Sequence, residues 1–254
     1  MNDTLQLIRD RRSTRAFDDK PVPYDVVESL IKFTLRAPTA GNMMLYTILK
    51  VDDPEMKQKL ALSCDDQPFI AKAPLLLVFL ADYQRWYDYF LRSGAEEYCK
   101  EKGVPPRKPG VGDLMLAVND TLIAAQTAVI AAEALGLGTC YIGDILEKYE
   151  YHRDLFRLPK YVLPVTMLCV GYPRESEEER PLSRRFDPKF VVQHNHYYRL
   201  EGLELDLMFK GLGPEKVEEG MPNFGQQMYL RKFASDFSVE MTRSVQAMID
   251  SWNA

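Results

Sequence analysis

Apolar positions along the chain fall first into helical spacing and then into short unbroken runs. Residues 4–12 read as a short helix, and Val27, Leu30, Ile31 and Thr34 recur at helical spacing in a second one over about 24–36. Pro21 and Pro23 introduce that helix, and Pro38 stops it by disfavouring the helical state at Ala37. A turn, Thr39-Ala40-Gly41-Asn42, leads to a predicted strand over 46–51 and a helix over 54–63. Residues 74–81 (PLLLVFLA) form an apolar run of strand length, as expected of a strand buried on both faces.

Residues 83–113 differ in character: Trp86, Tyr87, Tyr89 and Phe90 crowd together before Lys, Pro and Gly take over, which predicts an excursion ending in a loop. Residues 114–135 then predict a helix apolar nearly all round, stopped by Gly136 and Gly138, and so buried centrally or in an interface. Short strands are expected at 139–142 and 165–170. A last helix is expected over 227–252, with Leu230, Phe233, Phe237, Met241, Val245, Met248 and Trp252 on one stripe. That stripe suits docking on its own core as well as exchange between subunits.

At 254 residues, with 46% hydrophobic and 27% charged positions, the chain can bury a full core. A net charge of −5 argues against recruitment by nucleic acid or an anionic membrane, so any basic cluster serves a local purpose. No run of 18 apolar residues occurs and the N-terminus is charged, so neither a membrane span nor a signal peptide is expected, and the cytoplasm is the expected compartment. Cys64, Cys99, Cys140 and Cys169 lack zinc-site spacing, and the apolar surroundings of Cys140 and Cys169 predict buried free thiols.

One such cluster is Arg11-Arg12-Ser13-Thr14-Arg15. Three guanidinium groups and a hydroxyl at a helix end suit a bound phosphate, or else a solvated helix end paired with Asp10, Asp18 and Asp19. Together with Ala37-Pro38-Thr39-Ala40-Gly41-Asn42 and the later GLGTCYIGD at 136–144, this segment resembles the nitroreductase family of flavoproteins over about residues 5–198. The resemblance implies an α+β fold: a central, mostly antiparallel sheet flanked by helices, in a domain-exchanged homodimer. It also implies a flavin-binding domain over 1–200, a C-terminal helical extension over 201–254, and an FMN at each of two interface sites.

Carried over residue by residue, Arg11, Arg12 and Ser13 hold the FMN phosphate, while Arg15 reaches the ribityl chain and the N1/O2 edge of the ring. A fixed cation there stabilises the negative charge of the reduced flavin. The resemblance implies that Pro38, Thr39, Ala40, Gly41 and Asn42 come from the partner chain and that Gln67 meets the pyrimidine edge. Tyr141, Ile142, Gly143 and Asp144 line the other side of the ring, with a backbone N–H near N5. In the segment 180–185 (RPLSRR), Arg184 or Arg185 returns to the phosphate, Ser183 standing where many relatives carry lysine. Met43-Met44-Leu45 departs from the polar and proline residues that often follow the Asn.

The implied activity is hydride transfer from NAD(P)H through flavin N5 to a small acceptor such as a nitroaromatic or quinone, with no catalytic side chain and no metal required. Residues 83–90 are a candidate wall of the acceptor pocket, and Arg107 and Lys108 are the cations available for a 2′-phosphate. Alternatives are a module that stores or senses FMN without turnover, and reductive dehalogenation or ene reduction on the same fold. A Rossmann reading of Gly136-Leu137-Gly138 lacks the third glycine and follows a helix instead of a strand, and His194 with His196 lacks a third metal ligand nearby.

Overall fold

The apolar run at Leu75–Asp82 (β2) is buried at every position and forms an inner strand of the sheet. The computed structural model describes residues 2–174, 181–213 and 220–254. Tyr46–Lys50 (β1), β2, Gly138–Ile142 (β3) and Val162–Gly171 (β4) pair antiparallel throughout in the order β1-β2-β4-β3. β4 begins three residues before the predicted strand. Pro164 lacks an N–H, and β4 accommodates it opposite Leu80, where the β2–β4 register shifts.

Helices cover the sheet: Asp3–Asp10 (α1), Tyr24–Thr34 (α2), Pro54–Ser63 (α3), Pro68–Lys72 (α4), Gln84–Arg92 (α5), Ala95–Glu101 (α6), Val111–Ala134 (α7) and Tyr149–Phe156 (α8). The excursion is therefore mostly helical, its two helices separated by Gly94 at φ +72°. α7 starts at Val111, ahead of the predicted Leu114, because Asp113 reaches back and accepts the Gly110 N–H at 2.8 Å. α7 is long and apolar enough by composition to cross a membrane, contrary to the sequence expectation, but it packs on β2 and β4 as a core helix. Ala124, Ala125, Ala128 and Val129 are fully buried there, while Met115, Leu116, Leu122 and Ile123 are exposed.

The chain divides into two compact units, residues 1–180 with 240–254, and residues 181–239. The tail expected as one extension from residue 201 is shared between them. Its predicted helix over 227–252 is broken: Phe224–Met228 runs into a π-turn, Tyr229–Phe233, and a new helix, Asp236–Asn253, starts where the N–H groups of Ser238 and Val239 turn to the Ser235 carbonyl. The stripe is accordingly divided. Leu230 and Phe233 are exposed, whereas Met248 and Trp252 are buried with Leu45, Tyr83, Leu114 and Tyr161. Hydrogen bonds fix this end on its own chain: Trp252 Nε1 donates to Gly110 O at 3.1 Å, and Ser244 Oγ to Leu146 O at 2.6 Å.

Candidate functional site

α1 ends at Asp10, and the arginine-rich segment leaves it in extended form. Ser13 bridges Thr139 at the β3 edge, and the Thr14 N–H donates to Thr139 O at 2.8 Å. The approach is close. A Cβ on Gly138 would lie 2.3 Å from Thr14 Oγ1, so glycine is needed at 138 for steric reasons. Arg11, Arg12 and Ser13 are half-buried and Arg15 is exposed.

Glu133, at the end of α7, accepts the Thr139 hydroxyl at 3.1 Å. Burial pushes its carboxyl up, while the Thr139 hydrogen bond and the guanidinium groups of Arg11 and Arg12 pull it back. The arginine segment thus faces a carboxylate that sequence reasoning did not single out.

β3 carries this edge onward. Tyr141 is exposed and Ile142 buried, Gly143 is exposed, and Asp144 opens a 3-10 turn, Asp144–Leu146. Gln67, before α4, donates through Nε2 to Asp144 Oδ2 at 2.8 Å and to Cys64 O at 2.9 Å. The structure therefore joins Arg11, Arg12, Ser13, Gln67 and residues 141–144 along one side of the sheet.

Pro38–Asn42 lie elsewhere, in the turn entering β1 at the opposite edge. Three inter-strand spacings separate β1 from β3, about 14 Å. Within one chain the two halves of the predicted site stand apart. The turn is built around Asp120, another residue that sequence reasoning missed. Its carboxylate accepts the Ala40 N–H at 2.9 Å, the Leu45 N–H at 3.2 Å and the Thr39 hydroxyl. The available signal was an acid in the middle of an apolar helix.

The aromatic segment divides between two cavities. Trp86 and Tyr89 line a cleft of about 770 Å³ with Asn42, Met43 and Met44, whereas Tyr83, Tyr87 and Phe90 line one of about 280 Å³ with Pro105 and Lys108. Arg107, considered for a nucleotide phosphate, pairs bidentately with the buried Asp113 at 2.5 and 3.0 Å. Arg184 and Arg185 belong to the second unit, where Arg184 donates to the Gly211 carbonyl and Arg185 to those of Ser183 and Arg184. Arg180, first residue of that segment, lies outside the described residues. Cys64, Cys140 and Cys169 are buried free thiols, and burial raises Cys64 to about 12, which leaves it protonated and unreactive. Among the described residues no cluster of His, Cys, Asp and Glu is placed to hold a metal.

A sequence profile described as the Nitroreductase family matches residues 8–172. An FMN reductase (NADPH) of Bacillus subtilis is 31% identical over 202 residues, covering 79% of this chain and 76% of the relative. An oxygen-insensitive NADPH nitroreductase of Salmonella typhimurium is also 31% identical, covering 79% and 77%. The solved structure of NfrA2 from B. megaterium superposes with a TM-score of 0.76 at 27% identity, covering 99% of this chain and 98% of that one.

Proposed function

The chain belongs to the nitroreductase family, and on that premise we propose that it is an FMN-dependent NAD(P)H oxidoreductase acting on a small acceptor such as a quinone or nitroaromatic. The carrying observation is the continuous edge formed by Arg11–Arg15, β3 and the Gln67–Asp144 pair.

The residues fit FMN. The arginine segment is pinned against β3 at Gly138, where a side chain could not be admitted, so its backbone is held close to the anion it would bind. Arg11, Arg12 and Ser13 would take the phosphate through charge-assisted hydrogen bonds, and Glu133 limits the local excess of positive charge. Arg15, exposed beside them, would place a fixed cation at the N1/O2 edge. The two Nε2 hydrogens of Gln67 are used internally, which leaves Oε1 as its acceptor for the pyrimidine edge. Gly143, bare and exposed, allows close approach of its backbone and that of Asp144 to N5. When bound, FMN supplies a hydride relay that takes two electrons from NAD(P)H and passes them to the acceptor in a ping-pong cycle.

The same geometry supports completion of the site by a second copy. Residues 38–42 cannot close on the β3 edge of their own chain, and the exposed Met115, Leu116, Leu122 and Ile123 give α7 an apolar face for a homodimer. The test is anaerobic stopped-flow absorbance of the FMN-loaded protein. NADH or NADPH should bleach the flavin, and a quinone or nitroaromatic should restore it over repeated cycles. Bleaching by dithionite but by neither nicotinamide would replace this reading with an FMN-storing or FMN-sensing module.

A further inference from the structure

α7 is apolar over most of its length, yet it holds Asp120 at 2% exposure. A carboxylate removed from water destabilises the fold unless its lone pairs are engaged. Those of Asp120 converge on one object, the turn 39–45. Oδ1 accepts the Ala40 N–H and Oδ2 accepts the Leu45 N–H and the Thr39 hydroxyl, whose oxygen in turn accepts the Met44 N–H at 2.8 Å.

This turn does not hold its shape by local preference. Gly41, Asn42 and Met44 have φ of +55°, +58° and +50°, in the left-handed region that is unfavourable for a side chain such as methionine. The opposite side is tied as well: Trp86 Nε1 donates to Met43 O at 2.6 Å, and Arg85 donates to Met44 O at 3.1 Å. Asp120 is the charged centre of a frame that keeps a strained backbone in one conformation.

We propose that Asp120 is a positioning residue for flavin reduction: it fixes the backbone of Thr39–Asn42 in the form presented to the ring across the subunit interface. The inference rests on the functional reading above for the presence of the ring, but the frame itself stands on the hydrogen bonds. A second buried acid on the same helix provides the control. Asp113 accepts Arg107 and the Gly110 N–H near the start of α7 and makes no hydrogen bond to the turn.

Asp120→Asn keeps the volume but sets an amide N–H₂ against one of the two backbone N–H donors. With FMN saturating, bleaching by the preferred nicotinamide should slow about tenfold or more, as expected when a reacting group is displaced by a fraction of an ångström to an ångström. Asp113→Asn should lower the melting temperature yet keep the rate within about twofold of wild type. A wild-type rate in Asp120→Asn, or equal slowing in Asp113→Asn, overturns the proposal. If Asp120→Asn yields no folded protein, Thr39→Val removes two bonds of the frame, those to Asp120 and from the Met44 N–H, and should slow bleaching in the same direction; an unchanged rate counts against the proposal. If no nicotinamide bleaches the wild type, the oxidoreductase reading fails on its own. The flavin midpoint potential, titrated with dithionite, then decides: Asp120→Asn should shift it relative to both wild type and Asp113→Asn, and an unshifted potential overturns the inference.

Discussion

Glu147→Gln should make the protein more stable at pH 8 and little different at pH 5. Glu147 follows the turn that carries Asp144, is 4% exposed, and leaves Oε1 without a partner among the described residues. Burial pushes its carboxyl from 4.5 up to about 7; Asp144 adds to the push, with Asp65 and Glu240 behind it, and Lys148 opposes them. The folded chain thus holds this proton to higher pH than the unfolded chain does. Below about pH 4.5 both forms are protonated and the group is neutral towards stability. Between 4.5 and about 7 the unfolded chain releases its proton first, so stability is lost as pH rises, and above 7 the loss is complete. At about 1.4 kcal/mol per tenfold, the full loss would be roughly 3 kcal/mol. Screening beside an exposed Lys148 reduces this to about 1–2 kcal/mol. Urea unfolding at pH 5 and pH 8, with FMN in excess throughout, measures it. Glu147→Gln should gain about 1–2 kcal/mol at pH 8 and no more than about 0.5 kcal/mol at pH 5. An equal effect at both pH values, or a less stable variant at pH 8, would refute the reasoning.

Gly138→Ala forces a Cβ to 2.3 Å from Thr14 Oγ1. It should destabilise by about 1–3 kcal/mol through overpacking and release flavin on gel filtration, and an unchanged melting temperature with full retention would contradict it. Arg12→Ala should weaken FMN binding by about 2–5 kcal/mol in a fluorescence titration while leaving riboflavin affinity nearly unchanged. Equal losses for the two flavins would remove the phosphate from Arg12. Sedimentation equilibrium at micromolar concentration should give one species of twice the chain mass, and a folded, FMN-loaded monomer would disprove completion of the site by a second copy.

The element pattern was legible where a local rule is strong. The apolar run read at 74–81 as a strand buried on both faces is β2, and Gly136, at φ +75°, ends α7 where the sequence placed the stop. The spacing of Arg11–Arg15, Pro38–Asn42 and GLGTCYIGD carried the resemblance to the family that the sequence profile matches over residues 8–172. The break at Ala234–Ser235 was not legible, since a stripe at helical spacing is the same whether one helix or two bear it. Nor was the place of Pro164, which depends on a shift in the neighbouring strand.

Asp120 and Glu133 mark the remaining boundary. Read along the chain, each is a polar residue in an apolar helix. Only the packing of α7 brings one beneath a turn about 80 residues away in sequence and the other beside Arg11 and Arg12. The sequence determined which groups bear charge and where glycine frees the backbone at a helix end, as at Gly136, because those are properties of the residues themselves. Which charge faces which donor, and how far the turn at 38–42 stands from the β3 edge, was decided by the strand order and by the helix laid across it. Pairing of groups distant in sequence is fixed by burial and register, and neither can be read from spacing alone.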